Sequence, residues 1–391
     1  MKQAVLTGLE NLKNNPPDFL KGKRLGLLAN PASVDMAFNH ASVIINKIFP
    51  NQLKALFSPQ HGFHAEKQDN MMESDHTEDQ KLGIPVFSLY SSTRIPSKEM
   101  LDLIDILIVD LQDAGTRVYT FIYTISYCLE AAAKYHKEII ILDRPNPVGG
   151  IEVEGNLVSE GYRSFVGRFP IPMRHGLTIG EISSMFNTTF NIGCALKIIP
   201  MKNWKRAMYF KDTGLEWIAP SPNLPTPVSA MVYPGQVIFE GTNISEGRGT
   251  TQPFELFGAP FMDTGKILSY MKNKIPGAVL RPVCFQPTSG KWQGKVCHGF
   301  QIHIVSNADF KPYKTSLMLL QQIIKSHKDQ FHWKKPPYEY EYKRLPIDLI
   351  LGSLRLRKSI TNMEDIDNIE KSWKTDITKF KNMSRGFYLY D

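Results

Sequence analysis

Short apolar runs punctuate the first part of the chain, and between them the pattern loosens to one apolar position every third or fourth residue. The runs are "RLGLLAN" ending at Asn30, "LKALFSP" at Pro59, "IPVFSLY" at Tyr90, "DILIVDLQD" at Asp113 and "EIIILDRPNP" at Pro147. Near-continuous apolar runs of this length read as strands covered on both faces. The pieces between them are helical in character: "SVIINKIF" precedes the second run, and "FIYTISYCLEAAAKYHK" sets Ile122, Ile125, Leu129 and Ala132 on one face. Repeated β-α units of this kind predict an α/β fold, a Rossmann-like doubly wound parallel sheet.

The stretch "PNPVGGIEVEGNLVSEGYRSF" mixes glycine, proline and polar residues and places a boundary near residue 160. The expected division is 1–160 for the Rossmann-like part and 161–391 for a second, smaller α+β domain. In "MRHGLTIGEISSMFN", Thr178 and Glu181 have the T-x-x-E spacing of a capping box, which gives Glu181 a structural task. Two Pro/Gly-rich loops follow, "APSPNLPTPVSAMVYPG" and "FEGTNISEGRGTTQPFELFGAPF", and "SLMLLQQIIKSH" reads as a late helix.

In a doubly wound sheet, ligands bind beyond the carboxyl ends of the strands. Here those ends carry Asn30, Gln60-His61-Gly62, Tyr90, Asp110 with Gln112-Asp113, and Asp143-Arg144 with Asn146. A core has no need of so many polar groups, so a site is expected along this edge. Past the second strand, "HAEKQDNMMESDH" gathers Glu66, Glu73 and other ionisable groups. It reads as one wall of the site, the alternative being a solvated connection. Arg248 stands between Gly247 and Gly249, where glycine lets the main chain approach a ligand and a guanidinium grips a carboxylate bidentately. An Arg248–Glu246 or Arg248–Asp pair that pins the loop is the competing reading. Arg117 and Arg144 follow strand ends and serve either as ligand groups or as partners of Asp113 or Asp143. Tyr90 and Tyr119 offer an aromatic wall or a relay hydroxyl, or simply pack.

Composition narrows the chemistry. With 391 residues, 42% hydrophobic and 21% charged, the chain is an ordinary globular sequence. A net charge of +8 favours anionic partners, yet no nucleic-acid recognition motif accompanies it. Four scattered cysteines fit neither a zinc ribbon nor a disulfide framework. The first strand leads into "LLANPASVD" rather than a glycine-rich turn, and "GTNISEGRGT" lacks the G-K-[ST] of a phosphate loop. His61 and His64 sit three residues apart with carboxylates nearby, which leaves a metal site conceivable. The expectation is nevertheless no metal and no cofactor. Neither a membrane span nor a signal peptide is expected, so the location read from the sequence is cytoplasmic.

The succession "SPQHGF", "GIPVFSLY", "DILIVDLQDAGTRVYTFIYT", "LEAAA", "LDRPNPVGG", "VEGNLV", "SFVGRFPIPMRHGLTIGE", "PSPNLPT", "YPG" and "FEGTNISEGRGTTQPFELFGAP" resembles the exo-β-N-acetylmuramidases. That glycoside hydrolase family was long catalogued as a domain of unknown function. The likeness runs from Gly8 to "LRLRKSI" near the C-terminus. It implies a Rossmann-like N-terminal domain, a smaller C-terminal domain and an active site in the cleft between them. It also implies release of terminal N-acetylmuramic acid from the non-reducing end of peptidoglycan fragments, with a small carbohydrate or muropeptide as the partner.

One departure stands out. Many relatives read P-E-H-G where this chain has Pro59-Gln60-His61-Gly62, and that glutamate is the family's leading catalytic candidate. Gln60 cannot titrate, and glycoside hydrolysis commonly needs two carboxyl groups. The sequence reading moves the acid and base to Glu66 and Glu73, with Glu246 as a third candidate. Asn30, Gln60, His61, Tyr90, Asp110, Asp143, Arg144, Asn146 and Asn243 would then hold the sugar. Arg248 or Arg117 would take its lactyl carboxylate. Two alternatives stay open: substrate assistance by the 2-acetamido group, and a non-catalytic protein that binds muropeptide or another anionic sugar.

Overall fold

The computed structural model describes residues 4–67, 72–91 and 93–391. Each of the apolar runs forms a strand, and two further strands complete one sheet: β1 (Leu25–Ala29), β2 (Leu53–Ser58), β3 (Thr77–Asp79), β4 (Ile84–Ser88), β5 (Ile106–Asp110), β6 (Glu138–Leu142) and β7 (Ala195–Ile199). The order is β3-β4-β2-β1-β5-β6-β7, with β3 antiparallel on β4 and the other pairs parallel. β3 begins just after the acidic stretch, where a polar Thr-Glu-Asp segment gives no apolar signal and edges the sheet instead.

Alternation along β1 shows why the sheet is covered on both faces. Leu25, Leu27 and Ala29 pack with Leu9 and Leu12 of α1 (Gly8–Asn14) and with Ile44 and Ile45 of α2 (Ala41–Ile48). Leu28 points the other way, into a cluster with Leu101 of α3 (Lys98–Asp102) and Ile125 and Leu129 of α4 (Phe121–Lys134). Successive side chains of a strand take opposite faces, so a run buried on both sides must be apolar throughout. Gly26 has a steric reason of its own: a Cβ there would stand 2.8 Å from the Ile104 side chain.

The large sheet continues past residue 160, the boundary read from the sequence, because β7 lies at residues 195–199. Between β6 and β7, α5 (Ile179–Thr189) begins with the expected capping box of Thr178 and Glu181. Glu181 also takes the Arg206 guanidinium at 2.7 Å and the Leu389 amide at 2.9 Å, so its work is structural. The rest of the chain forms a smaller antiparallel sheet, β8 (Leu256–Ala259), β9 (Ala278–Phe285) and β10 (Cys297–Ile304), in the order β8-β10-β9. Around it stand α6 (Pro227–Gln236), α7 (Thr264–Met271), α8 (Pro312–Ser326), α9 (Pro346–Leu351), α10 (Leu354–Thr361), α11 (Ile366–Ser372) and α12 (Lys374–Ser384). The expected late helix is α8. Among the described residues no helix is long and apolar enough to cross a membrane.

One apolar cluster runs through both parts, joining Leu107, Val109 and Ile125 to Met231, Phe239, Phe257 and Leu320. Arg117 reinforces the join. Its guanidinium is wholly buried and donates to the carbonyls of Asn156 (2.6 Å), Ile171 (3.1 Å), Ile350 (2.9 Å) and Leu351 (3.0 Å). A charge with no carboxylate partner is tolerated in this place because several carbonyl dipoles replace its water. Arg117→Met therefore strands these carbonyls, each buried unsatisfied group costing about 1–3 kcal/mol. The expected loss is about 3–5 kcal/mol of unfolding free energy, read from urea denaturation. An unchanged midpoint would mean that the staple carries no weight.

Candidate active site

The pocket that gathers the most chemistry opens beyond the ends of β2 and β5, against residues contributed by the smaller sheet's part of the chain. After β2 the main chain turns through His61 (φ 79°) and Gly62 (φ 88°), which presents Gln60 and His61 inward. The Thr120 hydroxyl donates to Gln60 Oε1 at 2.7 Å, and Gln60 Nε2 donates to Glu339 Oε1 at 3.2 Å. Tyr90, beyond β4, donates its hydroxyl to Glu339 Oε2 at 2.7 Å. Glu339 and Tyr340 both adopt left-handed φ values, 47° and 64°. For non-glycine residues such strain costs about 1–3 kcal/mol each and concentrates at functional sites. Arg94 lies over Phe165 (3.9 Å to the ring centroid) and Tyr340 (4.7 Å), with Nη2 3.7 Å from Glu339 Oε2.

A second carboxylate lines the same pocket. Glu240 sits on the short helical turn after α6, within Val237–Gly241. Its Oε1 accepts from Arg248 Nη2 at 2.7 Å and its Oε2 from the Tyr338 hydroxyl at 2.7 Å. Arg248 is carried by a loop in which Gly247 and Gly249 have φ values of 80° and 75°. Its Nε lies 3.4 Å from Glu246, and Glu246 is in turn held by Lys291 Nζ at 2.7 Å. The remaining guanidinium nitrogen, Arg248 Nη1, is buried without a hydrogen-bond partner among the described residues. The space enclosed, open solvent included, is about 450 Å³, in the size range of small-molecule sites.

The two carboxyls are pushed in opposite directions. Burial raises the Glu339 pKa against the pull of Tyr90, Arg94 and Gln60, and the charge of Glu240 adds to the rise. Burial would raise Glu240 as well, but Arg248, Tyr338 and Lys291 outweigh it and hold this carboxyl below the ordinary range. Two carboxyls driven apart in one pocket provide a proton donor and an ionised partner. His61 is neutral at physiological pH: burial brings its pKa down to about 4. Its Nδ1–H donates to the Lys67 carbonyl at 2.8 Å, leaving Nε2 as an acceptor.

Of the residues picked out by sequence, Gln60, His61, Tyr90 and Arg248 belong to this constellation. Tyr119 lines the pocket too. The others fall elsewhere. Glu66 is exposed, its carboxylate folded back beside Gly62, and Glu73 is exposed and accepts from Tyr340 at 2.9 Å. Glu246 is buried behind Arg248, in contact with Lys291. Asp110 is consumed by a buried pair with Arg144, 2.8 Å at Nη2. Asp143 takes Thr178, Gly180 and Tyr390 at 2.7, 2.8 and 2.6 Å. Asn30 and Asn146 close turns through Ala32 and Val148, and Asn243 ties to Gln330 and His332. Arg117 is the carbonyl staple already described and is not placed to meet a ligand. The histidine pair does not converge: His61 is buried while His64 is exposed.

Glu240, Glu339, Tyr338 and Arg94 were absent from the sequence candidates. Glu240 had a usable signal, standing in the same motif as Arg248 and eight residues before it. Glu339 lies in "PPYEYEYKR", in a stretch whose excess of lysine and arginine hid an acid set among tyrosines.

Comparison with known proteins agrees along the whole chain. Residues 25–228 match the model of the N-terminal part of the exo-β-N-acetylmuramidase NamZ, and residues 231–390 match that of its C-terminal part. The peptidoglycan β-N-acetylmuramidase NamZ of Bacillus subtilis (strain 168) is 40% identical over 391 residues, covering 100% of this chain and 92% of that protein. Two crystal structures of DUF1343 family proteins from Bacteroides fragilis NCTC 9343 are similar. BF0371 has a TM-score of 0.90 and 35% identity, over 99% of both chains. BF0379 has a TM-score of 0.76 and 29% identity, over 100% of this chain and 99% of its own.

The depressed His61 pKa sets a pH dependence of stability. Between about pH 6.5 and 4 the unfolded chain binds a proton that the folded ring refuses. The His61 contribution is complete above about pH 6.5 and is lost as pH falls through about 4, a swing of about 3 kcal/mol. Asp143 and Glu154, raised by burial to about 7, act in the opposite sense as pH rises. Urea denaturation of wild type and His61→Gln at pH 7.5, 5.5 and 4.5 isolates the difference. The gap in stability between the two proteins should narrow steadily toward pH 4.5, and a constant gap would refute a buried neutral imidazole.

Proposed function

The chain belongs to the exo-β-N-acetylmuramidase family, and we propose that it releases terminal N-acetylmuramic acid from the non-reducing end of peptidoglycan fragments, with Glu339 as the proton donor. The observation that supports this assignment is the pair Glu240 and Glu339, two buried carboxyls on one pocket with pKa shifts of opposite sign. Glu339, favoured in its neutral form by burial, protonates the departing glycosidic oxygen. Glu240, kept ionised by Arg248, faces the positive charge that develops on the sugar ring. The substrate's own 2-acetamido group serves as the internal nucleophile, a route that needs fewer protein carboxylates.

Arg248 is the natural partner of the lactyl carboxylate, because its Nη1 is buried and uncommitted. Gln60 positions Glu339 and a sugar polar group from the place where relatives carry glutamate. This keeps the idea that the acid has moved away from position 60 and gives it another address. We further propose that the division between the two parts lies near residue 228, since β7 belongs to the large sheet, and that the reaction takes place in the cytoplasm.

A non-catalytic sugar binder is the second reading, and Gln60 is what favours it. A chromogenic β-N-acetylmuramide and a muramic-acid–glucosamine disaccharide, followed by product chromatography, decide between the two. Glu339→Gln should lower turnover by about 10²–10⁴-fold with disaccharide affinity nearly retained. Glu66→Gln and Glu73→Gln should stay close to wild type. Arg248→Lys should act mainly on KM. Binding of the disaccharide by wild type without any turnover would establish the binder.

A further inference from the structure

A second recess, sharing no lining residue with the cleft, lies between the segment Glu152–Gly155, the start of α8 and helices α11 and α12. It encloses about 850 Å³, open solvent included. Glu154 and Arg174 form its floor, and their main chains are bridged directly opposite each other, with N–H···O distances of 3.0 and 2.9 Å. Opposite charges in that register ordinarily pair across the strands. Here no ion pair joins them among the described residues. Glu154 Oε1 accepts from the Lys314 amide at 2.8 Å and the Tyr313 amide adds its pull on the carboxylate, but Oε2 is buried with no hydrogen-bond partner among the described residues. Arg174 Nη2 donates to the Val148 carbonyl, but Nε is buried with no hydrogen-bond partner among the described residues.

A buried acceptor and a buried donor left open each cost about 1–3 kcal/mol, and an orphaned polar group in a native fold calls for a reason. A group that brings an ammonium to Glu154 and an oxygen acceptor to Arg174 removes both. The rim adds cations: Lys371 and Lys374 are exposed, while Lys311 is already paired to Glu370 at 3.3 Å. Trp373 and Ile377 supply an apolar side. Glu152 also lines the recess, so among the described residues the free cations are confined to the helix side, where Lys371 and Lys374 meet carboxylates beyond the one acceptor taken by Arg174.

We propose that this recess is a second ligand site, for an acidic dipeptide or amino acid with a free amino group, its ammonium on Glu154 and its carboxylates on Arg174, Lys371 and Lys374. The site is separate from the glycosidase reading and does not depend on it. Burial lifts the Glu154 carboxyl to about 7, with the Lys314 and Tyr313 amides and the charges of Arg174 and Lys311 pulling against it. Arrival of an ammonium ionises this carboxyl, so binding at neutral pH releases a proton.

The test is calorimetry on the full chain with L-alanyl-L-glutamate at pH 7, in two buffers of different ionisation enthalpy. Binding with net proton release is expected. N-acetyl-L-alanyl-L-glutamate, which lacks the ammonium, should bind at least about tenfold more weakly. Glu154→Gln should lose both affinity and proton release, while its hydrolysis of the chromogenic muramide stays at the wild-type rate. Lys374→Glu, a surface change that leaves the fold intact, should weaken the dipeptide about threefold or more and serves if Glu154→Gln does not fold. No heat at millimolar dipeptide would overturn the proposal and leave the recess to water. Equal binding of the acetylated peptide would overturn it as well.

Discussion

A buried row of alternating charges governs the cleft: Lys291 on Glu246, Glu246 on Arg248, Arg248 on Glu240. Taking any one of these ions out of water alone costs several kcal/mol, and the attraction of a neighbour repays it only when the remaining hydrogen-bonding positions are also filled. Here most are. Lys291 completes its shell with the carbonyls of Phe239 and Ile244 at 2.7 and 3.0 Å, and Glu240 with the Tyr338 hydroxyl. The position left open is Arg248 Nη1. Three charged side chains, Glu240, Glu246 and, through Glu246, Lys291, thus fix one pocket-lining guanidinium. The flanking glycines belong to the same arrangement: a Cβ on Gly249 would sit 2.4 Å from the Ser289 carbonyl, so the loop closes on the segment that carries Lys291 only with glycine there.

The opposite wall follows another rule. Glu339 has neutral donors on both oxygens and a cation only at 3.7 Å, and burial prevails. The distinction between the two carboxyls is therefore one of neighbours rather than depth, since both are buried. It depends on bringing residue 60, at the end of a parallel strand, to residue 339, in a turn before α9. The apolar cluster shared by both sheets and the Arg117 staple provide that rigidity. A cleft between loosely joined parts would blur the 3.2 Å contact between Gln60 and Glu339.

How much of this was legible in the sequence follows from which signals are local. β1, β2, β4, β5 and β6 were readable because strands covered on both faces must be apolar at every position. β7, with its side chains partly exposed, and the polar edge strand β3 carry no such run. Polar residues at strand ends were the ambiguous class. Asn30, Asp143 and Asn146 are there because chain turns and helix starts at the sheet edge need donors and acceptors too, and Asp110 because the buried Arg144 needs a counter-charge; residue type alone does not separate these tasks. Glu339 was illegible for a different reason. Its partner Gln60 is 279 residues away, and nothing local marks an acid that only tertiary packing makes functional.

The amide at position 60 then has a physical meaning beyond loss of an acid. A glutamate in its place would set two carboxyls within hydrogen-bond distance of each other. They could not both ionise, and the pair would share a proton with one pKa strongly raised. Glutamine removes the second titrating group and instead donates Nε2–H to Glu339, which pulls the Glu339 pKa down. Burial and the field of Glu240 are then what raise the Glu339 pKa, with no second carboxyl at position 60 to add to them. The exchange turns a coupled pair into a single acid with a fixed donor beside it. Under the proposed mechanism, the whole of proton transfer then rests on Glu339.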